Sequence, residues 1–182
     1  MLGKHMKKMA MTSLVLTVAL MGAGCLGVPK YVLGDVPSEG QLALMDDQDK
    51  VKAIEAFMEK NPVPELKEDE KRQELKESID TMMGGTAERL GDFVGKNFHN
   101  GAGMARIVKV GAVYRVVLSE VFSVTPGPYL VVKAGDVEVG PLKSFHGAQT
   151  FDLPKGFDLS QAPYISIFCK PFQVEFARAT FH

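Results

Sequence analysis

Tyr164-Ile165-Ser166-Ile167-Phe168-Cys169-Lys170-Pro171-Phe172-Gln173-Val174-Glu175-Phe176-Ala177 decides the fold class, because it alternates with a period of two on either side of a break at Pro171. That period belongs to strands laid against a core. In the first run Ile165, Ile167 and Cys169 share a face, opposite Tyr164, Ser166 and Phe168. The company of two isoleucines predicts an inward-pointing Cys169 thiol. After Pro171, Phe172, Val174 and Phe176 resume the alternation against Gln173, Glu175 and Ala177.

The same texture extends backwards from this segment. Met104 to Val110, Val113 to Leu118, Tyr129 to Lys133, Val137 to Leu142 and Gln149 to Leu153 are short runs rich in Val, Ile, Phe and Tyr. Thr125-Pro126-Gly127-Pro128, Ala134-Gly135-Asp136 and Pro154-Lys155-Gly156 punctuate them as turns. The fold class is therefore mainly β: an antiparallel β-sandwich over residues 85–182, long enough for one core. Tyr114, Val116 and Leu118 form the core face of their strand, with Arg115, Val117 and Ser119 on the other.

Ahead of it, residues 46–84 predict a small α-helical hairpin. Val51, Ile54, Phe57 and Met58 recur at helical spacing behind a cap at Asp46 or Asp47, and Asn61-Pro62 stops the run. Leu75, Ile79, Met82 and Met83 supply the apolar face of a second helix from Glu65 to Met83, ended by Gly84-Gly85. Asp46 to Asp80 holds 12 acids and 7 bases, read as a solvated face. Residues 25–45, with prolines and glycines between Val28 and Gly40, read as a tether.

Residues 1–24 have the layout of a signal peptide. Lys4, Lys7 and Lys8 precede an apolar run from Met9 to Met21 that closes on Gly22-Ala23-Gly24-Cys25. The run is short against the roughly 20 residues of a membrane-spanning helix. Small residues before Cys25 resemble the lipobox of bacterial lipoproteins, which implies diacylation of that thiol. Expected localisation is then the cell envelope, exported and lipid-anchored. Leu26 in place of Asp favours the outer membrane or periplasmic face in a Gram-negative source. The rival is an ordinary leader cut near Ala23, leaving Cys25 a plain thiol.

Removing residues 1–24 takes away three lysines and no acid, moving the formal charge from −1 to −4. That balance argues against nucleic acid as a partner, since phosphate backbones are gripped by clustered Lys and Arg. With Cys25 acylated, Cys169 has no partner for an intrachain disulfide. Ser, His and Asp occur without nucleophile elbow, Walker loop or zincin spacing, so no hydrolase or transferase motif is present.

From about Gly91 to Phe181 the chain resembles the DM-thirteen domain, an electron-transfer-like β-sandwich found beside DOMON domains. The resemblance rests on the order of Gly95 to His99, Gly101-Ala102-Gly103-Met104-Ala105-Arg106-Ile107-Val108, and Tyr114 to Phe122 leading to Gly127-Pro128-Tyr129-Leu130-Val131-Val132. Val139 to Lys143, Gly147 to Phe151 and Leu153-Pro154 follow, and the closing Ile165 to Ala179 segment carries the family cysteine at Cys169. Phe168 stands for the usual Trp, Ala177 for a common Gly and Phe181 for a Leu.

The resemblance implies a redox or electron-transfer accessory role through Cys169, the one residue expected at a catalytic site. Lys170 projects to the opposite strand face and is a poor thiolate partner. Haem binding by DOMON relatives makes His99, His146, Cys169, Met104 and His182 the residues to watch, though no paired-ligand motif joins them and the sequence requires no cofactor. Expected partners are membrane lipid at Cys25 and an envelope redox or binding protein. The alternative is a non-catalytic envelope or adhesion binding module with a structural core cysteine.

Overall fold

A computed structural model describes residues 36–62 and 65–182. The signal segment and Cys25 lie outside the described residues. Three helices come first: α1 (Glu39–Leu42), α2 (Asp47–Lys60) and α3 (Glu68–Gly84). Ser38 and Gln41 cap α1 reciprocally, with Ser38 N donating to Gln41 Oε1 at 2.9 Å. Leu42 is buried in the core, so this end of the stretch read as a tether is packed. Asp46 caps α2 by accepting from Asp49 N at 2.8 Å.

Ten strands follow: β1 (Thr86–Gly95), β2 (Gly101–Ala102), β3 (Met104–Val110), β4 (Val113–Leu118), β5 (Ser123–Val124), β6 (Leu130–Ala134), β7 (Val137–Pro141), β8 (Gln149–Asp152), β9 (Tyr164–Cys169) and β10 (Val174–Thr180). Eight form one antiparallel sheet in the order β7-β6-β9-β10-β1-β3-β4-β8, and β2 pairs with β5 beside it. The two layers expected of a sandwich are wings of that sheet, joined through β1. Thr86 to Asp92 pairs with β3, and Phe93 to Gly95 pairs with β10. A strand shared in this way turns the corner of a curved sheet. Gly91 stands at the turn, where a Cβ would run into the Thr180 carbonyl.

Between the wings, Ala105, Ile107, Val116, Leu118, Val132, Ile165, Ile167 and Phe176 are fully buried. The faces inferred for β4 and β9 are those observed. Outside the β3-β4-β8 wing the surface is mixed, with Arg106, Val108, Arg115, Val117, Thr150 and Asp152 at alternate positions. Helix α3 lies over this outer face.

The helices attach by different chemistry. Ile54 and Phe57 of α2 enter the core, and Phe57 meets Phe172 edge-on with ring centroids 6.0 Å apart. Helix α3 docks through polar groups. Lys143 Nζ reaches both Glu74 carboxylate oxygens at 2.7 and 2.8 Å and donates to the Thr150 carbonyl at 3.0 Å. Arg115 Nη1 donates to Thr81 Oγ1 at 3.1 Å. Its Nε lies 2.7 Å from Asp152 Oδ1, an ion pair whose N–H is not aligned for a hydrogen bond. Only half of the apolar face expected of α3 turns to the sheet: Leu75 and Met82 are half-buried and Ser78 and Thr81 buried, while Ile79 is 48% and Met83 84% exposed. The sheet below presents ionic groups, and those select the polar side of the helix.

Candidate functional site

Cys169 ends β9 between Leu130 of β6 and Val174 of β10. Its side chain is 0% exposed. The thiol donates to the Pro128 carbonyl at 3.2 Å, so its weak donor is satisfied. The Pro126-Gly127-Pro128 turn presents that carbonyl, and Gly127 lets it lie close to the Phe176 ring, which a Cβ would strike. Phe172, three residues after Cys169 and fully buried, is covered in turn by Phe57.

Burial pushes the Cys169 thiol up to about 12, because an apolar surrounding disfavours the thiolate; the Phe172 N–H offsets a little of this. Lys170 does not relieve it. That side chain turns outward to Glu138, 2.9 Å away, as the strand alternation requires.

The histidines expected near a cofactor do not converge. His99 follows β1 in a loop with Asn97 and Phe98 at positive φ, and stacks on Phe176 at 3.6 Å between centroids and 9° between planes. It is 7% exposed, its Nε2 is buried without a hydrogen-bond partner, and burial lowers its pKa. Gly95 makes the loop closable, since a Cβ there would collide with the His99 carbonyl. His146 is exposed on a bridge to Ser123, and His182 is exposed at the end of the chain. Met104 faces outward beneath α3. Among the described residues no three His, Cys, Asp or Glu side chains are grouped to hold a metal.

A second feature escaped the sequence reading. An open groove of about 280 Å³ runs between α3 and the β3-β4 surface, with Ile79, Met82, Met83, Met104 and Val117 among its walls. Arg106 enters it from β3, and its Nη1 lies 3.8 Å from Met82 Sδ. The alternation of β3, with Ala105 and Ile107 inward, already placed Arg106 and Met104 outward; nothing in the sequence said that α3 would lie above them.

Residues 92–181 match the family model described as Electron transfer DM13. No curated protein and no solved structure matches the chain. The matched span runs from the middle of β1 to just beyond β10 and contains Cys169, His99 and the turn holding Pro128; helices α1 to α3 precede it. The β-domain over residues 92–181 is thus a domain of the Electron transfer DM13 family.

Proposed function

We propose that the chain is an exported accessory protein of electron transfer, lipid-anchored through Cys25, with Cys169 as its redox group. The observation carrying the reading is the position of Cys169 inside the matched domain. The lysines, apolar run and small residues ahead of Cys25 support a place in the cell envelope, and with it an envelope redox protein as partner. Burial limits when the thiol acts. With the thiol pushed up to about 12 by burial, almost none of it is thiolate at pH 7. Cys169 reacts, in this reading, when the Phe172 end of the domain opens.

The second reading is a non-catalytic envelope binding module in which Cys169 only packs. Its 0% exposure and satisfied thiol favour it. The two separate in a Cys25→Ser background, where Cys169 is the sole thiol. A slow but finite reaction with a chromogenic thiol reagent under native conditions, together with loss of the redox phenotype in Cys169→Ala, supports the redox role. Reaction only after unfolding, with the phenotype intact in a folded Cys169→Ala protein, leaves packing as the cysteine's whole contribution. A Soret band or stoichiometric metal in the purified protein would move electron carriage to a cofactor.

A further inference from the structure

The groove beneath α3 is independent of Cys169 and of the family match, since one wall belongs to a helix that precedes the matched residues. Three observations define what it accepts. Its walls are apolar and flexible, with three methionines, a side chain suited to irregular apolar guests. Ile79 and Met83 stay largely exposed at its rim, so they add little to folding. Within it Arg106 is half-buried, and no carboxylate among the described residues forms an ion pair with it; its recorded side-chain contact is the Met82 thioether. A half-buried guanidinium with no carboxylate partner among the described residues is free to take an anion that enters the groove.

We propose that this groove binds a small amphipathic carboxylate, with the apolar tail along Ile79, Met82, Met83 and Met104 and the carboxylate on Arg106. The planar guanidinium offers paired N–H donors to a carboxylate, which an ammonium does not. A volume of about 280 Å³ suits one short chain. The ion pairs of Glu74 with Lys143 and of Glu77 with Arg115, 2.7 and 3.6 Å apart, fix α3 over the sheet, so the site exists before the ligand arrives. Glu120, exposed at the lining, opposes an anion and sets a second test.

Equilibrium dialysis of radiolabelled decanoate against the purified full chain, below the micelle concentration, reads the site directly. One saturable site per chain is expected, with 1-decanol and decyltrimethylammonium each binding about ten-fold more weakly or worse. Arg106→Gln should lower decanoate affinity about ten-fold while leaving 1-decanol binding unchanged, which shows the groove intact; Arg106→Lys should keep part of the affinity, and Glu120→Gln should raise it. Equal binding of the cationic and anionic probes overturns the proposal. So does undiminished decanoate binding in a folded Arg106→Gln protein, or the absence of saturable binding below about 1 mM.

Discussion

Helices α2 and α3 leave the same acidic stretch and face opposite fates. Helix α2 spends its apolar stripe on the core, inserting Ile54 and Phe57 until each is 2% exposed. Helix α3 is held by the Glu74–Lys143 pair and the Arg115 contacts, and leaves Ile79 and Met83 outside. The difference lies in what each helix meets. Phe172 offers an apolar surface, so hydrophobic burial decides; Arg115, Thr150 and Asp152 offer charge and hydrogen bonds, so polar matching decides. A helix docked by its polar face has apolar surface left for a ligand, and a helix docked by its apolar face has none. Closure over the cysteine end and openness over the β3-β4 face follow from that contrast.

The largest test of it is Phe57→Ala. Deleting a buried ring at the core edge should cost about 3–5 kcal/mol in urea unfolding. It should also speed native modification of Cys169, because Phe172 loses its cover. A loss under about 1 kcal/mol would mean that α2 is not part of the fold's core. Next in size is Glu74→Gln, which leaves the Lys143 ammonium without its countercharge in a pocket where the two side chains are 14% and 24% exposed. About 2 kcal/mol of destabilisation is expected, and the pair Glu74→Leu with Lys143→Met should recover most of it. A Glu74→Gln protein as stable as its parent would refute polar docking of α3. Smallest is Met83→Ser at the rim, expected within about 0.5 kcal/mol of the parent by thermal melting. A fall of 2 kcal/mol or more would show that the exposed face of α3 packs after all.

The sequence alone was enough for the strands that alternate cleanly. Ile165, Ile167 and Cys169 point into the core as their spacing required, and Asp46 caps the helix its position announced. It failed at β1. Thr86 to Gly95 contains two glycines, and its buried positions include Gly91 and Phe93 while Leu90 and Val94 face water, so the apolar pattern is inverted against the strand's burial. What makes it a strand is its place between β3 and β10, whose backbone groups it satisfies. The redox candidate was legible from one residue and its neighbours; the groove was not, because its two walls come from segments more than twenty residues apart.

In the cleanly alternating strands and in α2, local spacing was enough to say which residues would turn inward, since a strand's or helix's period depends on the backbone alone. Which side of α3 would touch the sheet, how far the Cys169 thiol would be removed from water, and whether Arg106 would find a carboxylate were settled only when distant segments met. Those outcomes depend on desolvation and partner geometry, which belong to pairs of surfaces and not to either chain segment.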